Sequence, residues 1–247
     1  MGTIEIAIFA GGLVGGLVNG LAGFGTGLVA LNFWLYAVPP IIAAPMVIIC
    51  SLVGQLQTIP KIWRTISWPR VMPFIIGGLC GIPLGTYILP HIPVYTFKVM
   101  VGTILIIYCG YMLLSGRNFN LQIGGKLADG VVGFVGGILS GIAGLSGPVP
   151  SIWAGIRGWR KEDRRAIFQA YNTSMLGVAF LSQGVSGYIT GEVIWAVMFA
   201  LPGTFLGVWL GHKLYMRLGD RGFDRVVYAL LLGAGIALVT FTLFPIQ

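Results

Sequence analysis

Charged side chains are scarce in this sequence. Asp, Glu, Lys and Arg make up 9% of its 247 residues, whereas 56% of the residues are hydrophobic and the mean hydropathy is +0.90. A soluble domain carries about 25% charged residues, so a soluble fold of this length has no room to bury so much apolar surface. The sequence therefore excludes a soluble domain and predicts an all-α polytopic membrane protein with the lipid bilayer as its surroundings.

Acidic residues, histidines and cysteines are also few. The seven acids and both histidines stand at the ends of apolar segments, so no buried carboxylate is evident as a proton relay or sodium ligand, and Asp129 is the nearest candidate. The three cysteines lie in apolar stretches without the spacing of metal ligands, and we interpret them as reduced packing residues. We predict no metal, no cofactor and no catalytic residue.

The basic residues give the chain a net charge of +8. In a membrane protein, Lys and Arg mark cytoplasmic loops, so this charge does not indicate a nucleic-acid partner. The N-terminal stretch 1–9 lacks the basic region of a signal peptide, and its apolar run continues far beyond signal-peptide length. We therefore expect no cleaved signal peptide.

A glycine-rich polar motif occurs twice within the apolar sequence. The copies cover residues 15–27 and 136–148, an offset of 121 residues, and a later pair of glycines, Gly85 and Gly211, also matches. We therefore predict two homologous halves of four apolar segments each, covering residues 1–116 and 127–247, with a cytoplasmic connection at 117–126. The segments are expected near residues 3–38, 40–60, 71–90, 94–114, 127–157, 166–186, 191–211 and 224–245. The prolines expected at or near their ends are Pro39, Pro40, Pro60, Pro69, Pro90, Pro93 and Pro202.

The distribution of basic residues favours one topology over another. If all eight segments crossed the bilayer once, the basic groups would lie on both faces. If the first segment of each half instead enters and returns as a hairpin broken at the glycine motif, every basic residue except Lys98 lies on the cytoplasmic face. This count favours an inverted repeat with a broken or hairpin first helix in each half, although a single kinked crossing of each first segment stays open.

The two motifs have the chemistry of an anion site. Where a broken helix restarts, its first N–H groups are free and carry partial positive charge, and glycine lets a ligand approach them closely. We therefore expect a small oxyanion to bind where the two breaks meet. The candidate substrate-binding residues come from the motifs and from the helices that follow them: Asn19, Gly23, Gly25, Thr26, Gly27, Ser51, Gln55, Gln57, Ser140, Gly144, Ser146, Gly147, Gln169, Asn172 and Thr173.

Some residues of the motif regions have a structural interpretation instead. Gly12, Gly16 and Gly20 have the spacing of small residues that let membrane helices pack closely. Trp34 and Trp153 follow the two breaks, and we expect them to anchor at the membrane interface, with a place in the wall of the site as the alternative.

At these motifs the chain resembles the TauE/SafE family of sulfite-exporter-like transporters. The stretch G-x-x-S-G-x-x-G-x-G-G-G of that family stands here as residues 16–27, with Asn19 in the serine position, and as residues 137–148. The resemblance covers most of the chain. The sequence departs from the family's triple glycine at Thr26, Ser146 and Pro148.

The resemblance implies a multi-pass protein of the cell (inner) membrane. It implies a secondary transporter, commonly an exporter, for small anions such as sulfite or organosulfonates, and it leaves a homodimer open. A passive anion channel of the same fold is an alternative. A rhomboid-like serine protease is a further one, because Gly144-Leu145-Ser146-Gly147 fits its G-x-S-G motif and His212 is the later histidine.

Overall fold

The regular structure of the chain is helical throughout the part described. The computed structural model describes residues 2–58, 66–114, 124–147, 149–150 and 161–217, together with single residues between 153 and 159 and between 229 and 243. Within these residues the helices are α1 (Thr3–Ala22), α2 (Thr26–Ala37), α3 (Pro40–Thr58), α4 (Trp68–Ile88) with a 3-10 turn (Leu89–His91), α5 (Val94–Leu114), α6 (Gly125–Ala143), α7 (Lys161–Val185) and α8 (Gly191–Arg217).

Five of these helices are long and apolar enough to cross a membrane: α1, α3, α4, α6 and α8. This confirms the prediction of an all-α polytopic membrane protein, and the chain is a multi-pass membrane protein. Pro148 and most of the residues of the predicted eighth segment at 224–245 and of the connection at 117–126 lie outside the described residues. The proposed division into two halves therefore stays a prediction.

One proline does not lie where the sequence predicts. Pro202 lies inside α8, so its expected place near a segment end is wrong, and Pro45, Pro73 and Pro83 also lie inside helices. Transmembrane helices tolerate proline because neighbouring helices and side chains satisfy the backbone groups that it frees. Pro69 stands in the first turn of α4, where its missing N–H costs no hydrogen bond.

The predicted first segment, 3–38, is a helical hairpin. α1 ends at Gly23, whose N–H donates to the carbonyl of Asn19 over 2.7 Å. Gly23 and Gly25 have φ of +79° and +101°, which glycine adopts without strain, and α2 then runs back along α1. Near its far end the indole N–H of Trp34 donates to the carbonyl of Ile8 over 2.9 Å. We call this pair of helices hairpin 1, and residues 23–25 break 1.

The chain also reverses direction at the second glycine motif. α6 ends at Gly144, where φ is +68°, and the N–H groups of Gly144 and Leu145 donate to carbonyls of the last turn. Beyond residues 144–147, which we call break 2, the chain comes back along α6. The indole N–H of Trp153 donates to a carboxylate oxygen of Asp129 over 2.8 Å. We call this unit hairpin 2.

The two tryptophans close their hairpins at matching places. Ile8 and Asp129 are separated by the same 121 residues as the two motifs. Trp34 is fully buried, so the expectation that it anchors at the membrane interface is wrong. Its indole is held by the neighbouring helix because a buried N–H donor requires a partner.

The first helix of each hairpin packs against a helix that lies far from it in the sequence. α1 lies along α8, and α6 lies along α4. A Cβ on Gly12, Gly16 or Gly20 would lie within 3.0 Å of a carbonyl oxygen of α8, which supports the packing interpretation of these glycines. A Cβ on any of three glycines of α6 would likewise lie within 3.0 Å of a carbonyl oxygen of α4: Gly133, Gly137 and Gly141.

Both pairs of helices run parallel, because residue numbers rise together along the contacts. α1 meets α8 in the order Ala200, Thr204, Val208, and α6 meets α4 in the order Phe74, Gly78, Ile82. α1 and α8 therefore begin at the same end of the bundle. α4 and α6 likewise begin together.

The two hairpins open at opposite ends of the bundle. The ammonium group of Lys98, at the start of α5, lies 4.4 Å from the centre of the Tyr36 ring, at the end of α2. The start of α5 and the preceding end of α4 therefore lie where hairpin 1 opens. α4 begins at the opposite end, and α6 begins there with it. Hairpin 2 opens at that end, where Arg157 donates to the carbonyl of Gly125.

Five of the described basic residues follow this arrangement. Arg70, Lys126 and Arg157 lie at the end where α4 and α6 begin, and Lys213 lies at that end in the last turns of α8, which starts beside α1. Lys98 lies at the other end. This is the separation that the hairpin topology predicts for these residues. That the two halves form an inverted repeat stays a prediction.

Candidate functional site

The two breaks lie against each other in the interior of the bundle. A Cβ on Gly147 would lie 2.8 Å from the ring of Phe24, so break 2 packs directly on break 1. A Cβ on Gly27, in the first turn of α2, would lie 3.2 Å from the side chain of Leu145. α3 closes one side of this junction, because Val47 packs on both Gly27 and Gly144. The absence of side chains at the glycines therefore allows the breaks to touch.

A small cavity lies at this junction. Its free volume is about 10 Å³, which is room for about one water molecule. No charged side chain lines it among the described residues. Seven candidate residues line the cavity, namely Asn19, Gly25, Gly27, Ser51, Gly144, Gly147 and Asn172.

Three apolar residues that the sequence did not single out complete the wall: Phe24, Leu28 and Leu145. Phe24 lies between glycines of break 1, and Leu145 lies between glycines of break 2. Their positions inside the glycine motifs were the signal in the sequence that could have identified them as cavity residues. Phe24 also makes an edge-to-face contact with Tyr108 of α5, with ring centres 6.1 Å apart. The cavity is therefore polar on some walls and aromatic on another.

The start of α2 offers backbone donors to this cavity. In an α-helix the first N–H groups have no carbonyl four residues earlier within the helix. At α2 the N-cap is Gly25, and no side chain caps the first turn. Gly25 and Gly27 both line the cavity, so the helix terminus faces it with its partial positive charge.

Asn19 and Gln55 form a polar pair beside break 1. The amide nitrogen of Gln55 donates to the carbonyl of Gly23 over 2.6 Å and to the side-chain oxygen of Asn19 over 3.5 Å. Asn19 is 1% exposed, and its amide nitrogen has no hydrogen-bond partner. A buried donor without a partner costs about 1–3 kcal/mol, which a ligand's oxygen would recover.

Ser146 and Asn172 form a second polar pair beside break 2. The hydroxyl of Ser146 donates to the side-chain oxygen of Asn172. Ser146 is fully buried, and Asn172 lines the cavity. Ser146 therefore reaches the site through Asn172. Its hydroxyl bonds an amide oxygen, whereas the protease alternative requires a histidine partner for it.

The remaining candidates lie around the cavity without lining it. Gln169 lies beside Gly23, since a Cβ there would be 3.9 Å from its amide oxygen. Thr26 and Ser140 are buried next to the breaks, and their hydroxyls have no partner. The hydroxyl of Thr173 donates to a carbonyl of its own helix, and Gln57 lies in the last turn of α3.

One ion pair holds the open end of hairpin 2. The guanidinium of Arg157 lies 3.4 Å from the carboxylate of Asp129, which also accepts the indole N–H of Trp153. The guanidinium also lies over the Trp153 and Trp159 rings. Asp129, the nearest candidate for a coupling carboxylate, therefore contributes to closing this hairpin, away from the cavity.

Comparison with known proteins identifies the family of the chain. The family model described as Sulfite exporter TauE/SafE matches residues 8–238. A protein of Cupriavidus necator described as "Probable sulfite/organosulfonate exporter TauE" is 25% identical over 229 residues, which cover 89% of this chain and 87% of that protein. No solved structure matches the chain. Because the family model spans nearly all of the sequence, the chain belongs to the TauE/SafE family of sulfite exporters, which are membrane transporters.

Proposed function

We propose that this protein is a secondary transporter, working as an exporter in the cell (inner) membrane, for small oxyanions such as sulfite or organosulfonates. The substrate binds in the cavity between the two breaks. The single observation that carries the proposal is that Asn19, which lines the cavity, has a buried amide nitrogen without a hydrogen-bond partner, and that the uncapped start of α2 faces the same cavity. Donors without a cationic side chain suit an oxyanion that must be bound and then released.

The opposite openings of the two hairpins support alternating access. A cavity of about 10 Å³ does not hold an oxyanion, so the breaks must separate for binding. If the halves are an inverted repeat, each hairpin can expose the junction to its own side of the membrane. The family and the printed description of the Cupriavidus necator relative favour sulfite and organosulfonates as substrates.

The first prediction is that small oxyanions stabilise the purified protein. Sulfite or isethionate at a hundredfold excess over its Kd is expected to raise the free energy of unfolding by about 2.7 kcal/mol, which raises Tm by several degrees. Asn19→Leu is expected to remove most of this rise, because it removes the free amide donor. Thermal unfolding across sulfite, sulfonates, sulfate and carboxylates measures both effects.

A matched control for this variant is Asn32→Leu. Asn32 lies on α2 and does not line the cavity, and its amide donates to the carbonyl of Leu28 one turn earlier on the same helix. The Asn32→Leu variant should have a lower Tm without ligand, and the anion should still raise that Tm as it does in the wild type. Equal stabilisation of the wild type and Asn19→Leu would overturn the site, and no stabilisation of the wild type by any of these anions would overturn the substrate class.

The second prediction separates a transporter from a passive channel of the same fold. In proteoliposomes, the protein is expected to accumulate the substrate anion against its own electrochemical gradient when a proton or sodium gradient of suitable sign is imposed. A channel only equilibrates the anion. Anion movement that always follows its own gradient, under every imposed ion gradient, would make the channel the correct assignment.

A further inference from the structure

We propose that Gln55 and Ser146 are positioning residues, each of which engages the acceptor oxygen of one cavity asparagine so that its N–H₂ group is what remains for a ligand. The inference rests on the proposed function and explains how an uncharged cavity selects an anion. It changes the expected role of both residues from contacting the substrate to orienting the groups that do.

Gln55 acts on two acceptors at break 1. Its amide nitrogen donates to the carbonyl of Gly23 and to the side-chain oxygen of Asn19. Both are oxygens that would repel an anion and attract a cation. With both occupied by Gln55, Asn19 has its amide nitrogen left, and that nitrogen has no partner.

The residue next to Gln55 leaves the space that this orientation needs. A Cβ on Gly54 would collide with the amide nitrogen of Asn19. Glycine at this position therefore leaves room for the Asn19 amide nitrogen beside α3 while the amide oxygen accepts from Gln55. Two adjacent residues of α3 thus set the orientation of one side chain on α1.

Ser146 does for Asn172 what Gln55 does for Asn19. Its hydroxyl donates to the amide oxygen of Asn172, which lines the cavity. The asparagine and its hydrogen-bond partner change places between the two breaks. At break 1 the hairpin carries the asparagine and α3 carries its partner, whereas at break 2 α7 carries the asparagine and the hairpin carries its partner.

A double-mutant cycle tests the positioning role on the purified full-length protein. Sulfite and isethionate affinities are measured for the wild type, Gln55→Leu, Asn19→Leu and the double variant. Each single change is expected to weaken binding about tenfold, since each removes one oriented donor. The double variant should bind at most about threefold more weakly than Asn19→Leu alone, because Gln55 acts chiefly through Asn19 and otherwise only on the carbonyl of Gly23.

Gln183→Leu is the matched control. Gln183 is equally buried and donates to the carbonyl of Gly141, near break 2, without lining the cavity. Its loss should lower Tm and leave the anion affinity within about threefold of the wild type. A second double-mutant cycle combines Ser146→Ala with Asn172→Leu. Because Ser146→Ala removes only one oxygen atom, this cycle can test the positioning role if Gln55→Leu does not fold.

The possible results are distinct. Non-additive losses in either cycle, with unchanged affinity in Gln183→Leu, support positioning. Losses that multiply in both cycles, or an equal loss in Gln183→Leu, overturn it while leaving anion binding in place. A wild type that binds no oxyanion overturns the proposed function and this inference together.

Discussion

Gly16→Leu is expected to abolish recovery of folded protein. A Cβ at this position would already collide with the carbonyl oxygen of Thr204, and its carbonyl carbon and Cα would also lie within 3.0 Å. These are backbone atoms, so no side-chain rotation can relieve the contact, and α1 must move away from α8. Overpacking of this kind costs about 1–3 kcal/mol even for smaller changes. Size-exclusion chromatography and thermal unfolding in detergent measure the loss.

Alanine substitutions give a control with the opposite sign. Gly16→Ala should lower Tm, whereas Gly177→Ala on α7 should raise the free energy of unfolding by about 0.5–1 kcal/mol, because a Cβ there meets nothing within 4 Å and alanine favours the helix. A Gly16→Leu protein with wild-type Tm would show that α1 and α8 do not pack as described. Equal changes in Tm for Gly16→Ala and Gly177→Ala would also show that α1 and α8 do not pack as described.

Gly147→Val is expected to reduce transport to below about a tenth of the wild-type rate while the protein stays folded. A Cβ on Gly147 would lie 2.8 Å from the Phe24 ring, so a larger side chain forces the two breaks apart and fills the cavity that Gly147 lines. The change is local, because its neighbour is a side chain at the break. Uptake of labelled sulfonate into proteoliposomes measures the rate, and thermal unfolding reports the fold.

Phe24→Leu offers a compensating change for this prediction. Removing the ring makes room for the new side chain, so the double variant is expected to recover part of the transport lost in Gly147→Val. Phe24→Leu alone loses the edge contact with Tyr108 and should lower Tm. Wild-type transport by Gly147→Val would show that the contact between the breaks is dispensable, and no recovery in the double variant would show that its effect arises elsewhere.

Part of the site could be predicted because glycine has a local signature. Gly23, Gly25 and Gly144 have positive φ, which other residues adopt rarely, so glycine density in apolar sequence indicated where the helices break. The distribution of basic residues indicated that the chain turns back at each break and forms a hairpin. Asn19 and Asn172 could be placed near the breaks because they stand in the motif or on the helix that follows it.

Other candidates depended on hydrogen-bond partners that the sequence does not contain. Thr173 returns its hydroxyl to the carbonyl four residues earlier, as buried threonines on helices often do, so its polarity is used locally. Gln55 and Ser146 reach the cavity through an asparagine each. Pro202 lies inside a helix because its surroundings, more than its own chemistry, decide whether a proline ends a membrane helix.

By itself, the sequence determined that the chain is a membrane protein and that a helix breaks at each of the two glycine motifs. These properties follow from composition, glycine content and charge count, which act on short stretches. Only the tertiary structure decided that α1 packs on α8 and α6 on α4, and that the two breaks touch. Such pairings depend on the fit of surfaces far apart in the chain, and small residues that allow close approach do not specify which helix approaches.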